Sequence, residues 1–298
     1  MVTLRQIEAF QAICETGSFA AAARRLGATQ PAISKRIGEL EAELGAPLFE
    51  RGQRQVRPTL RGHALRPFAE TMLTTRERLL HALAEPGDYA GTIRIGVTEL
   101  TALTFLPEWI AALRAALPRA RVVPEVKLAQ ALIPELRQGV IELAVMPGPP
   151  PAGLVARSLG PVEMAWMCSP TAIDCPDAMP AARLSDYPIL AQTERSGLQA
   201  AANDWLEANG ATAELVLSSN SLSALCGLTI AGLGVALLPR ACFQHQVRAG
   251  RLKEIVTDPP MPPLEYFVVH GKQGAHPLGR LVADLAIATA RFDTSPNV

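Results

Sequence analysis

A short segment near the start of this chain concentrates side chains that can hydrogen-bond to nucleic-acid bases and phosphates. A glutamine amide can pair with adenine, a serine hydroxyl can reach several base edges, and a lysine can contact guanine or phosphate. Pro31 predicts that a helix begins here, because the missing N–H of proline is tolerated in the first turn. The residues of this segment are Thr29, Gln30, Pro31, Ser34, Lys35 and Arg36.

The segment that follows is rich in arginine. No acidic residue lies between positions 51 and 66, which contain Arg51, Arg54, Arg57, Arg61 and Arg66. Such a run is usually a solvated surface, but cations are also what proteins use to hold a phosphate backbone. Leu48-Phe49 and Val56 predict two short strands around a turn. The sequence therefore indicates a basic hairpin, whose phosphate contacts we assign to Arg51, Arg54 and Arg57.

Three helices must position these groups, and apolar residues recur at helical spacing in the first and the third. Ser18 can cap the second helix and Gly27 ends it, while Gly45 and Pro47 end the third. The polar side of the third helix is then left for contact with a partner. The apolar positions are Leu4, Ile7, Phe10 and Ile13 in the first helix, and Ile33, Ile37, Leu40 and Leu44 in the third.

The order and spacing of these residues resemble the winged helix-turn-helix of the LysR-type transcriptional regulators. The resemblance is unbroken from Leu4 to Gly62 and weaker over the rest of the chain. It departs at Leu60-Arg61, where small or acidic residues are more usual. The matching residues are Leu4–Phe10, Gly17-Ser18-Phe19, Ala22-Ala23, Leu26, Gln30–Ser34, Ile37, Leu40-Glu41, Leu44-Gly45, Leu48–Arg51, Thr59 and Gly62.

The resemblance implies a regulator that binds an interrupted palindrome in double-stranded DNA and contacts RNA polymerase. It also implies an α/β effector domain that resembles a type 2 periplasmic binding protein with two subdomains. The implied assembly is a homodimer, paired into a homotetramer. The domains are 1–58 for the winged helix-turn-helix, 59–88 for a linker helix and 91–298 for the effector domain, with subdomain I at 91–160 and 266–298 and subdomain II at 161–265.

A long helix follows the arginine-rich segment. Thr59 can cap it, its pattern continues to about Glu85, and Pro67 is expected to bend or break its first part. Its apolar stripe has nearly heptad spacing, which is typical of helices that pair with another helix, so we expect it to dimerise the chain. Pro86-Gly87-Asp88 begins a hinge. The stripe consists of Leu65, Phe68, Met72, Leu79 and Leu83.

From Gly91 onward, strands and helices are predicted to alternate, which is typical of parallel sheets covered by helices. We expect the chain to cross between two subdomains near Gly160-Pro161 and again near Pro262–Glu265. The predicted strands are Thr92–Val97, Arg121–Lys127, Ile141–Met146, Met164–Cys168, Ile189–Ala191, Ala213–Leu217, Val235–Leu238 and Tyr266–Val269.

Polar loops after these strands predict a site for a small-molecule effector. Ligands of such folds bind at the carboxyl ends of strands, and helix N-termini favour anions, so an organic acid is the favoured ligand. Each residue alone is a plain helix-cap candidate, and Glu99 could instead receive a hydroxyl or ammonium group. The predicted residues are Thr98, Glu99, Leu100, Thr101, Gln130, Ser196, Gly197, Asn220 and Ser221.

Length, amino-acid composition and charge limit the classes of protein to which this chain can belong. A chain of 298 residues, 49% of them apolar, predicts two or three folded units. Lys and Arg number 28 and are balanced by 28 Asp and Glu, so attraction to nucleic acid must be local. The chain opens on a periodic helix rather than a signal peptide, and no stretch approaches the roughly 20 apolar residues of a membrane span. We expect a soluble cytoplasmic protein.

Other classes of function are less well supported. An enzyme is disfavoured because no nucleophile–base motif, phosphate loop or metal cluster accompanies the five histidines, and no cofactor is expected. The DNA-binding head and the missing signal peptide disfavour a solute-binding protein. Among the five cysteines, Cys168 and Cys175 form the one close pair. Buried small side chains are the plain interpretation of these cysteines, and a thiol-redox-responsive regulator of the same architecture stays open as an alternative.

Overall fold

The computed structural model describes residues 1–50, 56–83, 89–193, 196–212, 215–271 and 277–293, with the side chains at 78 and 81–83 left out. The chain divides into two compact units, Met1–Leu83 and Ala84–Val298. Each unit has a hydrophobic core of its own. Within the described ranges, no helix is both long and apolar enough to cross a membrane.

The N-terminal unit is built from four helices. They are α1 (Leu4–Thr16), α2 (Phe19–Arg25), α3 (Gln30–Leu44) and α4 (Leu60–Leu83). Hydroxyl side chains of Thr3, Ser18 and Thr29 cap the first three, because each accepts a hydrogen bond from an N–H in the first turn. Phe10, Ile33 and Leu48 are almost fully buried where α1, α3 and the segment after α3 meet.

The predicted hairpin after α3 is reduced to a single described bridge. Phe49 pairs antiparallel with Pro58, and the Glu50 N–H donates to the Arg57 carbonyl at 2.9 Å. The turn between them, residues 51–55 with the predicted Arg51 and Arg54, lies outside the described residues. The pairing of the flanking segments nevertheless fixes where the hairpin leaves and returns to the unit.

Helix α4 has two apolar faces rather than one. Thr59 caps it by accepting from the Gly62 N–H at 3.1 Å, and the helix continues through Pro67. Ala69 is fully buried, and Leu65 and Leu73 pack against the same core, because positions i, i+4 and i+8 share a face. The prediction that Leu65 belongs to an outward stripe is therefore wrong. Among the described side chains of α4, the exposed large apolar residues are Leu60, Phe68, Met72, Leu79 and Leu80, and the side chain of the predicted Leu83 lies outside that set.

The C-terminal unit contains two sheets. The first has the order β2-β1-β3-β11-β4 and the second β6-β10-β5-β9-β7-β8. The strands are β1 Thr92–Val97, β2 Arg121–Val126, β3 Leu143–Pro147, β4 Leu154–Val162, β5 Met164–Cys168, β6 Ala178–Pro180, β7 Ile189–Gln192, β8 Leu215–Ser219, β9 Val235–Pro239, β10 Lys253–Asp258 and β11 Leu264–Gly271. Their helices are α5 Glu99–Leu103, α6 Leu106–Ala116, α7 Ala129–Gln138, α8 Gly197–Ala208, α9 Leu222–Ile230, α10 Arg240–Arg248 and α11 Pro277–Thr289, and a 3-10 helix covers Ala181–Asp186.

Both sheets are mixed, so the expectation of purely parallel sheets is wrong. β1 runs parallel to β2 and β3, whereas β11 runs antiparallel to β3 and β4. The reason is that the chain leaves the first sheet after β4 and returns to it only in β11. It crosses at Glu163 and again through residues 259–263, close to the two predicted points. We call the parts around the first and second sheets subdomain I and subdomain II.

Candidate DNA-binding surface and ligand cleft

The predicted base-contacting residues share one surface of the N-terminal unit. Thr29, Gln30, Pro31, Ser34 and Lys35 are all exposed, and Arg36 is half-buried. Ile33, Ile37 and Leu40 point into the core from the opposite side of α3. The Thr29 hydroxyl accepts from the Ala32 N–H at 3.4 Å and so sets where the helix begins. The polar N-terminal half of α3 is thus open to a partner while its apolar side holds the helix in place.

One predicted wing arginine falls within the described residues. Arg57 is exposed beside the Phe49–Pro58 bridge. Arg51 and Arg54 lie outside the described residues. The Val56 N–H donates to the Gly17 carbonyl at 3.2 Å, which ties this segment to the turn between α1 and α2. The base of the wing is therefore anchored to the helices that carry α3.

A cavity of about 290 Å³ lies between the two subdomains of the C-terminal unit. Predicted residues reach it from both sides, because the strands that precede them end at facing sheet edges. Those that line it are Thr98, Glu99 and Leu100 from subdomain I and Ser196, Gly197, Asn220 and Ser221 from subdomain II. The loops that sequence reasoning picked out separately are thus brought together.

Two predicted residues do not line the cavity. Thr101, the residue directly after Leu100, is fully buried because α5 turns its side chain into the core. Gln130 is exposed, and its neighbour Ala129, the first residue of α7, lines the cavity instead. At the start of α7, the first residue therefore faces the cavity, whereas the second residue does not.

Sequence reasoning missed several polar and apolar lining residues. Lys127, Pro147 and Gln192 all follow or end strands, so the rule that ligands meet carboxyl ends could have found them. Tyr266 was hidden for another reason. It lies near the start of β11, opposite Pro147, and an antiparallel strand brings its first residues to the edge where its neighbour ends.

Two helix N-termini from different subdomains lie close together where they line the cavity. A Cβ atom placed on Gly197, the first residue of α8, would lie 3.2 Å from Pro147 Cγ and 3.9 Å from Ala129 Cβ. Gly197 therefore allows the starts of α7 and α8 to approach closely. The first N–H groups of a helix have no partner within it, so this end carries partial positive charge suited to an anion.

The start of a third helix, α9, is already occupied by a carboxylate. Glu99 of subdomain I accepts hydrogen bonds from the Ser221 hydroxyl at 2.9 Å, the Leu222 N–H at 2.5 Å and the Ser223 N–H at 3.3 Å. These contacts satisfy the free N–H groups at that helix start. They also join the two subdomains across the cavity.

Lys127 lines the cavity but is held by two carboxylates. Its ammonium group lies 2.5 Å from Glu125 and 2.7 Å from Glu135. Burial would lower the pKa of Lys127, but the hydrogen bonds to both carboxylates raise it above its usual range. The lysine is therefore charged, and the two carboxylates of its own subdomain more than offset that charge.

Two residues that carry hydroxyl groups, Thr98 and Tyr266, line the cavity. The Thr98 side chain is about nine-tenths buried, and its hydroxyl has no hydrogen-bond partner of normal geometry among the described residues. Tyr266 is 2% exposed, and burial raises its hydroxyl pKa, which the neighbouring Thr98 hydroxyl only partly opposes. An unpaired buried hydroxyl costs free energy, so Thr98 is suited to a ligand that supplies the missing bond.

The close pair of cysteines lies away from this cavity. Cys168 ends β5, Cys175 follows it, and both thiols are free, adjacent and buried. Burial raises the pKa of the Cys168 thiol to about 12. A thiol that stays protonated is a poor nucleophile, so this environment does not favour a redox sensor. Among the described residues, no group of histidine, cysteine and carboxylate side chains is arranged to hold a metal ion.

Fold and site together define a winged helix-turn-helix unit followed by a two-subdomain unit with a central cleft. The family model for the bacterial regulatory helix-turn-helix of the lysR family matches residues 4–63. The model for the LysR substrate-binding domain matches residues 86–291. The chain therefore belongs to the LysR family of transcriptional regulators.

Individual relatives agree with this assignment. The chain is 31% identical over 287 residues to the HTH-type transcriptional regulator CbbR of Cereibacter sphaeroides, covering 90% of this chain and 88% of the relative. A probable transcriptional regulator from Pseudomonas aeruginosa has a similar fold, with a TM-score of 0.76, 18% identity and coverage of 95% and 96%. The regulator CbnR in complex with its target DNA gives a TM-score of 0.67 at 21% identity, covering 97% of this chain and all of that one.

Proposed function

We propose that this regulator reads a specific DNA sequence with the start of α3 and responds to a small organic molecule in the cleft. The observation that carries the second part is the cavity itself, which both subdomains line and where the buried Thr98 hydroxyl has no hydrogen-bond partner of normal geometry among the described residues. A ligand that bridges the subdomains favours one orientation by its differential affinity for that orientation. Catalysis in the cleft forms no part of this proposal.

The contacts with DNA divide into two kinds. Gln30 and Ser34 would contact base edges, with Thr29, Pro31, Lys35 and Arg36 beside them at the same helix start. Arg57, with Arg51 and Arg54 by extension from the sequence, would contact phosphates. The operator would be an interrupted palindrome bound by a homodimer, with two dimers forming a homotetramer. The regulator would act in the cytoplasm through contact with RNA polymerase.

The ligand class follows from the charged ends of the cleft. The starts of α7 and α8 favour an anionic group, so we propose an organic acid as the effector. The match of residues 86–291 to the LysR substrate-binding domain supports a small-molecule effector without naming one.

The test begins with operator selection from genomic DNA by the full-length protein. Gln30→Ala and Ser34→Ala should each reduce discrimination between the selected site and random DNA by about 1–3 kcal/mol. Arg57→Ala should weaken binding to both DNAs and reduce the salt slope by about one. Arg183, an exposed arginine paired with Asp186 in subdomain II, supplies a matched control. Unchanged discrimination in both α3 variants contradicts the proposed reading surface.

A further inference from the structure

Glu99 reaches across the cleft to the helix start that an anionic ligand would otherwise use. It begins α5 in subdomain I, yet its carboxylate accepts from Ser221 and from the first N–H groups of α9 in subdomain II. A carboxylate at a helix N-terminus is favourable for the same electrostatic reason as a bound anion. The protein's own side chain therefore occupies the α9 end of the cleft.

Among the described residues, no carboxylate caps the starts of α7 and α8, which also line the cleft. Leu128 precedes α7 without a side-chain cap, and Ser196 caps α8 with a neutral hydroxyl. Lys127 adds no uncompensated positive charge, because Glu125 and Glu135 hold it. The three helix starts thus differ: a carboxylate caps α9, whereas α7 and α8 keep first-turn N–H groups that no carboxylate caps.

A second observation points to a ligand beside Glu99. The Thr98 hydroxyl lines the cavity next to Glu99, is about nine-tenths buried and has no partner of normal geometry among the described residues. The neighbouring Tyr266 hydroxyl interacts with it without normal hydrogen-bond geometry, so a ligand in the cleft would supply the missing bond. Thr98 lies on the subdomain that also supplies Glu99, so the same ligand would meet both.

We propose that Glu99 determines the charge of the ligand, restricting the cleft to molecules with one anionic group and a hydrogen-bond donor at the far end. The anionic group would lie at the starts of α7 and α8, and a hydroxyl or ammonium group would face Glu99. A dicarboxylate would place its second anion against the Glu99 carboxylate, which repels it and already satisfies the α9 N–H groups. This proposal rests on the cleft being the effector site.

The experiment compares two four-carbon probes that differ at one end. Succinate carries a carboxylate at both ends, whereas 4-hydroxybutyrate carries a hydroxyl at one. Binding of each to the full-length chain is measured by calorimetry for wild type, Glu99→Ala and Glu99→Gln. Glu108→Ala is the matched control, since it removes the same charge from an exposed position at the start of α6.

Removal of Glu99 should open the α9 end to a second anion. Succinate should bind Glu99→Ala about tenfold tighter than wild type, while 4-hydroxybutyrate should lose affinity and Glu108→Ala should match wild type. A Glu99→Ala protein that binds succinate no better than wild type, or binds none at millimolar concentration, overturns the proposal. So does an equal gain in Glu108→Ala, because it would reflect overall charge.

A second variant and a separate set of measurements cover the cases in which Glu99→Ala alone would not decide. If Glu99→Ala fails to fold, Glu99→Gln decides, since its amide oxygen can still accept from the α9 N–H groups without the negative charge. A higher succinate affinity in Glu99→Gln supports the proposal, and an unchanged one overturns it. Failure of the regulatory function would show in operator binding and reporter expression instead, neither of which enters the succinate measurement.

Discussion

Gly197 and Pro147 lie close enough that a Cβ atom at position 197 would come within 3.2 Å of the Pro147 ring. The two residues belong to opposite subdomains, with Gly197 beginning α8 and Pro147 ending β3. The glycine is therefore required by contact rather than by backbone conformation. Close packing at this point brings the α7 and α8 starts to the same end of the cleft.

Gly197→Ala should destabilise the C-terminal unit by about 1 kcal/mol, because the added methyl group is forced against Pro147. The matched change is Gly227→Ala in the interior of α9, where a Cβ meets nothing within 4 Å. That substitution should stabilise the unit by about 0.5–1 kcal/mol through helix propensity. Urea unfolding of both variants gives the comparison, and equal stabilisation by the two alanines would contradict the tight contact.

Thr98 and Ser196 should behave differently when their hydroxyls are removed. The Ser196 hydroxyl accepts from the Gln199 N–H at 3.4 Å and donates to Gln192, so Ser196→Ala should cost about 1 kcal/mol of stability as a lost helix cap. Thr98→Val removes a hydroxyl without a partner of normal geometry among the described residues, so the free energy of unfolding should change by less than about 0.5 kcal/mol.

The functional effect of Thr98→Val should nevertheless be large. Its effector response in a reporter assay should fall while its operator affinity without effector stays at the wild-type value. Thermal unfolding, DNA titration and the reporter assay measure the three quantities separately. A Thr98→Val protein that responds at the wild-type effector concentration would place the sensing group elsewhere in the cleft.

The exposed stripe on α4 should hold the oligomer together. Phe68 is 68% exposed and Met72 39% exposed, and they lie one turn apart. Replacing both with lysine should reduce the mass measured by light scattering, because charges would be buried without partners at the seam. Leu65→Ala and Leu73→Ala should instead lower the unfolding temperature, since both pack inside the unit. A double lysine variant of unchanged mass would exclude α4 pairing.

Buried thiols should make the C-terminal unit less stable at alkaline pH. Burial raises the pKa of Cys168 from 9.0 to about 12, so the folded protein keeps a proton that the unfolded chain loses above pH 9. This contribution is complete below pH 9 and is lost as the pH rises toward 12, at up to about 1.4 kcal/mol per pH unit. Urea titrations of wild type and Cys168→Ala from pH 8 to 11 should therefore differ in slope, and parallel curves would contradict the assignment.

The N-terminal unit was predictable from sequence because its signals are local. Ser18 and Thr29 both act as caps, and Gly17 and Gly45 end helices in the left-handed conformation that glycine allows. Leu65 was wrongly assigned to the exposed stripe of α4. Heptad spacing alone does not show which of two neighbouring faces of this helix packs against the rest of the unit. Only the packing of Ala69 against that core decides it.

The cleft was predictable in part for a different reason. Thr98, Ser196 and Ser221 lie where strands end and helices begin, which the chain order already reveals. Tyr266 and the hydrogen bonds of Glu99 depend on which strands are neighbours and in which direction they run. That information is non-local, since Glu99 and Ser221 are 122 residues apart in the chain.

The burial of Ala69 has a mechanical consequence for any assembly built on α4. The helix that would carry the seam is fixed on its other face to the same core that holds α3, so no joint lies between the seam and the reading helix. Two copies paired through Phe68 and Met72 would form a dimer in which the spacing of the two α3 helices is fixed. The distance between the DNA half-sites that one dimer binds is then a property of helix geometry. An effector could change only the orientation of one dimer relative to another.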